Sequence, residues 1–351
     1  YAGKRAIYLN AYNVSGQRLE DHLDFIAHHG FNAIVVDVKD DWGRLTYTTE
    51  LERPRRYGAA MDLFSLEKLV ARAHEEGIHV IGRMVVFKDK VLYHVDDHAL
   101  AVWDPRKKGP WGHFVEEKNE ETGETEYVQR EFWVDPFSEE VWDYNIAIAE
   151  ELERMGIDEI QFDYIRFPSD GRVDATEYRH RREGMVKTEA IESFLRKTRR
   201  TVTTPISADL YGFNSWYRMG NWIGQDIEMV SHYVDVICPM FYPSHFPSDF
   251  LSGMEYIERT YRIYREGTSR AREITEGRSV IRPYVQAFLM GREISMEQPE
   301  YERYLTRQIE GTYRGGGSGY ALWNNLNRYY MVNSKVTVLN GKRERDPETD
   351  T

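Results

Sequence analysis

The chain has 351 residues, enough for two average domains or one large barrel, and its 41% hydrophobic and 30% charged residues exclude a disordered polymer. Its 46 Lys and Arg against 58 Asp and Glu leave a net charge of −12, which repels phosphate backbones and acidic membrane surfaces and argues against nucleic acid or membrane as the main partner. One cysteine, Cys238, excludes an internal disulfide and a cysteine-based zinc site, and no apolar run reaches the roughly 18 residues of a membrane span.

In chain order, short runs rich in β-branched and aromatic residues predict strands at 6–10, 33–37, 79–87, 159–163, 206–209, 234–240, 280–286 and 320–323. Helical patterns at 17–29, 65–76, 138–155, 189–201 and 300–313 fall between them, several stopped by Gly30, Gly77 or Gly156. This alternation predicts an α/β fold, a single (β/α)8 TIM barrel over 1–333. The longest interval lies between strands three and four and predicts an insertion at about 103–133. Its polar, hairpin-like 119–125 stretch is flanked by Trp103, Trp111, Phe114, Phe132 and Trp133, which would form an aromatic wall over the mouth. Residues 334–351 read as a polar tail, either a frayed end or the start of a linker. Tyr1 follows no Met and no hydrophobic signal core, so it reads as a processed start and export is expected.

Period-two alternation then sorts each strand into a helix-facing and a lumen-facing set. The polar parity collects Asp37 and Lys39 on strand two, Gln161 and Asp163 on strand four, and Asp209 and Tyr211 on strand five. The same rule aims Tyr8, Asn10, Arg83, Phe87, Met240, Tyr242, Tyr284, Gln286 and Trp323 inward. Their carboxyl-terminal ends form the face that carries active sites in such barrels.

A carboxylate aimed into a barrel mouth must be paired or desolvated, so Asp37, Asp163 and Asp209 call for a chemical role. Adjacent strands lie about 4.8 Å apart, which would hold the Asp163 and Asp209 carboxyls roughly 5 to 6 Å apart, a spacing suited to retaining glycoside hydrolysis. Arg83 and Arg166 are placed to favour an ionised nucleophile at Asp163, while Tyr211 and Tyr242 give Asp209 a less polar setting suited to an acid. The competing reading is that the aspartates cap loops or pair structurally.

Asp37 and Lys39, with Asp40, Asp41 and Gly43 in the following loop, would grip sugar hydroxyls, or else form a structural ion pair. Trp323 with Asn324 and Asn325 offers a stacking face and amide donors. His94 and His98, four apart, read as a surface loop rather than a metal site, and no metal or cofactor motif occurs. Gly315–Gly317 lacks the lysine of a phosphate loop, and the arginines around 179–200 read as a solvated helix face.

These residues resemble a bacterial glycoside hydrolase family with a TIM-type barrel, distantly related to the α-amylase and α-galactosidase barrels. The likeness spans about residues 3–333. It is carried by Asn32-Ala33-Ile34-Val35-Val36-Asp37-Val38-Lys39-Asp40, Phe162-Asp163-Tyr164-Ile165-Arg166-Phe167-Pro168, Ser207-Ala208-Asp209-Leu210-Tyr211-Gly212 and Met240-Phe241-Tyr242-Pro243-Ser244-His245. The resemblance implies a carbohydrate-active barrel with Asp163 at the α-amylase nucleophile position and Asp209 where a strand-five glutamate acts as acid and base. It departs at Gln161, where an arginine is expected and which Arg83 would replace, and at Gln286, where the strand-seven aspartate is missing.

The expectation is therefore a glycosidase acting on an oligo- or polysaccharide without a cofactor. It would be retaining and α-specific, with Asp163 and Asp209 catalytic. Asp37, Lys39, Arg83, Arg166, Tyr211, Tyr242, Gln286, Trp323 and Asn324 would bind sugar. A catalytically silent polysaccharide-binding barrel is the rival, and a metal-dependent deacetylase a third reading.

Overall fold

The computed structural model describes residues 1–118 and 123–341. Eight parallel strands form the barrel: β1 (Lys4–Leu9), β2 (Ala33–Lys39), β3 (His79–Val85), β4 (Glu159–Asp163), β5 (Ile206–Tyr211), β6 (Val236–Met240), β7 (Tyr284–Gln286) and β8 (Gly319–Trp323). Each pairs with the next, and β1 pairs with both β2 and β8, which closes the ring and leaves no edge. Around it lie α1 (Gly16–His29), α2 (Leu66–Glu75), α3 (Glu139–Arg154), α4 (Lys187–Arg199), α5 (Ile227–Val230), α6 (Tyr256–Thr275), α7 (Gln298–Arg314) and α8 (Ser334–Gly341). The chain is a (β/α)8 TIM barrel.

The helices form because their apolar residues recur on one face and their ends are capped. α1 buries Leu19, Leu23 and Ile26 and stops at Gly30, whose φ of 68° returns its N–H to the Ile26 carbonyl. Ser138 opens α3 by accepting from the Val141 N–H. The outward parity of the strands packs on these helices in one large core, while Ala6, Tyr8, Val35, Ile81, Cys238, Tyr284 and Ala321 fill the lumen in a second.

Below the mouth the lumen is plugged by charge. Arg282, fully buried, forks onto Glu159, with Nη1 to Oε2 at 3.0 Å, and the His79 ring reaches the same carboxylate at 3.5 Å. Burial acts to raise the Glu159 pKa, and Arg282 overrides it and holds the carboxyl at about 2. Arg282→Met strands that charge and should destabilise the barrel by about 3–5 kcal/mol, whereas the Glu159→Leu/Arg282→Met double variant should recover most of the loss in denaturant unfolding. Because the folded pKa lies below the ordinary 4.5, the pair's stability is present above about pH 4.5 and is lost as pH falls towards 2. Arg282→Met should flatten that acid limb.

Several expectations need correcting. β3 ends at Val85, and Phe87 packs its ring on Phe194 of α4, in the helix layer rather than the lumen. Strand seven is interrupted at Arg282 and Pro283, so Val280–Ile281 pairs β6 before β7 proper begins. Two short strands, Leu45–Tyr47 and Ala60–Phe64, extend the sheet beyond the end of β2. The tail is not frayed over 334–341. α8 docks on α1, with Asn340 donating to the His29 carbonyl at 2.7 Å and accepting from Tyr320 Oη at 2.7 Å; residues 342–351 lie outside the described chain.

The insertion forms two antiparallel pairs, Trp103–Asp104 with Gly109–Pro110 and His113–Lys118 with Thr125–Glu131. The 119–122 part of the expected hairpin lies outside the described residues. Trp111 and Trp133 are buried rather than a free wall: Trp111 Nε1 donates to the Arg172 carbonyl at 2.9 Å, tying the insertion to the loop after β4.

Candidate active site

Arg83, near the end of β3 and 3% exposed, organises the mouth. Asp37 is its register partner on β2, and Nη1 meets Asp37 Oδ1 at 2.7 Å. Nη2 and Nε reach Asp163 Oδ2 on β4 at 2.6 and 3.0 Å, and Nη2 also meets Asp41 Oδ1 at 3.1 Å. Burial works against the guanidinium charge, but Asp37, Asp163 and Asp41 outweigh it and hold its pKa well above the usual value. Its flat face lies over Trp323, 5.0 Å from the ring centre, and Trp323 in turn leans on Tyr8 at 4.0 Å.

The three aspartates differ in their partners. Asp163 accepts on both oxygens, from Arg83 on Oδ2 and from the Tyr164 N–H on Oδ1 at 2.6 Å, an acceptor set that fits a carboxylate. Tyr164 takes the left-handed conformation, with φ 52°, which turns the chain off the strand line directly after Asp163. Asp37 accepts from Tyr8 Oη at 2.5 Å; burial nevertheless raises its pKa to about 6, against Arg83 and that hydrogen bond.

Asp209 is different again. It is 1% exposed, its side chain takes no hydrogen bond among the described residues, and its Oδ1 is buried without a partner. Burial first, and the charge of Asp163 second, push its pKa well above the ordinary carboxylate value. Phe162 pairs with Ala208, so Asp163 and Asp209 come next on adjacent strands. Tyr242 is buried just beyond the end of β6; burial first, and the charge of Asp209 second, hold its pKa well above the usual value.

Four expected contacts are redirected. Lys39 does not face the mouth: a bulge between Asp37 and Lys39 turns it into the helix layer. There it pairs with Asp89 at 2.7 Å and donates to Asn145 of α3 at 3.0 Å. Arg166 does not pair with Asp163; it donates to the Phe167 carbonyl and Ser169 and lies over the rings of Trp133, Tyr164 and Tyr211. Gln286 is buried and braces the loops, accepting from Ser244 and donating to the Phe288 carbonyl. Asn324 spends both amide hydrogens on the Ala287 and Arg328 carbonyls. Tyr211 stays at the rim, its hydroxyl 3.0 Å from Ser169 Oγ.

Tyr8 has no assigned role in the sequence pattern, although parity already aims it inward, and its hydroxyl meets Asp37. Asp41, expected in a loop that grips sugar hydroxyls, instead meets Arg83. His94 and His98 donate from Nδ1 to the Lys90 and Tyr93 carbonyls, both at 2.7 Å. Among the described residues no group of three or more His, Cys, Asp or Glu is arranged to hold a metal ion.

A closed (β/α)8 barrel with paired carboxyls and aromatic faces at the carboxyl-terminal mouth is the architecture of glycoside hydrolase barrels. The chain belongs to the family described as "Putative glycosyl hydrolase domain", whose sequence profile matches residues 6–329. No curated protein matches it significantly.

Among solved structures, it is 33% identical to a hypothetical protein from Ruminiclostridium thermocellum ATCC 27405, over 58% of this chain and 96% of that one, with a TM-score of 0.48. The PgaB (BpsB) glycoside hydrolase domain from Bordetella bronchiseptica is 12% identical and superposes over 96% of this chain and 98% of its own, with a TM-score of 0.59. A noncanonic maltogenic α-amylase, AmyB from Thermotoga neapolitana, is 14% identical over 92% of this chain and 67% of its own, with a TM-score of 0.53. The two latter likenesses carry the barrel fold.

Proposed function

We propose that the protein is a retaining glycosidase acting on an α-linked oligo- or polysaccharide, with Asp163 as nucleophile and Asp209 as general acid and then base. The observation that carries this reading is Asp209 itself: a buried carboxyl with an unpartnered oxygen, on the strand beside Asp163 and held towards its neutral form. A neutral acid next to a carboxylate that accepts on both oxygens is the division of labour this reaction needs. Asp163 attacks the anomeric carbon and breaks the glycosidic bond, while the Asp209 proton goes to the departing oxygen. Asp209 then takes a proton from water, and the hydroxide equivalent releases the sugar from Asp163.

Arg83, Asp37 and Trp323 would seat the sugar at the bond being cut, with Tyr242 and Tyr211 beside it. Lys39, Gln286 and Asn324 take no part, because their polar atoms serve the scaffold. A polymeric substrate would place the enzyme outside the cytoplasm. The test is reducing-end release across α- and β-linked oligosaccharides and bacterial polysaccharides. Release by the wild type and not by Asp163→Asn supports a glycosidase; saturable binding by both with release by neither makes the barrel a glycan-binding module.

A further inference from the structure

Of the eight tryptophans, two are exposed among the described residues, Trp42 at 40% in the loop after β2 and Trp222 at 50% in the segment after β5. Trp42 follows Asp41, whose carboxylate reaches Arg83. The Lys90 ammonium lies 5.2 Å from the Trp42 ring centre, and Phe132 packs against it at 6.2 Å. Its loop is fixed at both ends of the residue, by the Trp42 N–H on Asp40 and by the Val91 N–H on the Trp42 carbonyl. On the β5 side, Trp222 lies nearly parallel to Tyr211, 6° between planes and 6.5 Å between centres.

More rings and cations lie along the loops between them, and Phe132, which packs on Trp42, is next in the chain to Trp133. Arg166 lies 4.8 Å over Tyr211, 4.8 Å over Trp133 and 5.1 Å over Tyr164, and Lys88 covers Tyr164 at 4.7 Å. The rim therefore runs as a supported band along the ends of β2, β3, β4 and β5. At ordinary strand spacing that arc is roughly 14 Å, longer than one sugar ring. Scattered exposed aromatics need no explanation, but two rigid tryptophans at the ends of one band do.

We propose that this band is a track for a glycan chain, with Trp42 and Trp222 as its terminal stacking platforms, so that the enzyme cuts within a polymer. The proposal rests on the reading of the mouth as a glycosidase site. Asp163 and Asp209 belong to β4 and β5, inside the span of the track, so the bond to be cut has chain on both sides. An enzyme that trims chain ends needs one side of its site closed. Here both ends of the track are the most solvent-exposed rings on it.

The test uses the full chain carrying Asp163→Asn, with maltose, cellobiose, isomaltose and chitobiose series graded from disaccharide to octasaccharide, read by tryptophan fluorescence. Affinity should rise with length in at least one series. Trp42→Ala and Trp222→Ala should each weaken the octasaccharide about tenfold and leave the disaccharide nearly unchanged, with Trp→Phe at either position restoring most of the loss. Affinity that is flat with length, or unaltered in both alanine variants, overturns the track. On the parent polymer, wild-type enzyme should lower the molecular mass well before reducing ends accumulate. Asp163-dependent release of end sugars from a polymer that keeps its size overturns the track alone, whereas binding of no series overturns both the track and the glycosidase reading.

Discussion

Asp163→Asn should lower turnover by about 10⁴-fold or more while leaving glycan affinity within a few-fold of the wild type. The amide keeps the size of the carboxylate, and its oxygen can still accept from Arg83, which holds Oδ2 at 2.6 Å. What it cannot do is form the bond to the anomeric carbon. The variant should also report on its neighbour: the Asp163 charge is one of the causes that raise the Asp209 pKa, so its removal should bring that pKa down. Single-turnover kinetics and titration calorimetry with a released oligosaccharide separate the two effects, and a loss of affinity equal to the loss of rate would make Asp163 a binding residue only.

Asp209→Asn should cost about 10²–10⁴-fold in kcat on substrates whose leaving group is another sugar, because a sugar alkoxide leaves poorly without a proton. With an aryl glycoside whose phenol is acidic, the same variant should recover most of its first-step rate. The pH profile gives the sign. Burial and Asp163 hold Asp209 towards its neutral form, so wild-type activity persists through the range where an ordinary carboxyl has ionised and falls as pH rises through the elevated pKa. The Asn variant should lack that alkaline limb. A variant with an unchanged profile and no leaving-group dependence would place the acid elsewhere, and Asp37, raised to about 6, is the next carboxyl at the mouth.

The barrel was legible because its signal is local. Eight short apolar runs with helical patterns between them imply the ring, and period two within β2, β4 and β5 is enough to place Asp37, Asp163 and Asp209 on the inner face. The failures begin where that period breaks. Nothing near Lys39 announces the bulge after Asp37, which depends on the β3 register and on a buried counter-charge, Asp89, fifty residues away in the chain. Arg166 lies beyond Tyr164, whose left-handed turn swings the chain off the strand, so its guanidinium meets three rings instead of Asp163. Gln286 closes β7 and Asn324 follows β8, but their hydrogen bonds go to loop carbonyls that only the folded chain supplies. α8 lies in a stretch that reads as tail because the residues beyond it are charged; Asn340 is buried against Tyr320 and His29, a tertiary contact with no local signature.

A nucleophilic Asp163 must form a covalent bond to the sugar. Once a released sugar is known, its 5-fluoro glycosyl fluoride should react to completion and stop, because fluorine at C5 slows both steps while the fluoride leaving group keeps the first faster than the second. Intact mass should rise by one glycosyl unit, and peptide mapping should place it on Asp163, with none on Asp163→Asn. Steady turnover without an adduct, or an adduct on another residue, would contradict the assignment.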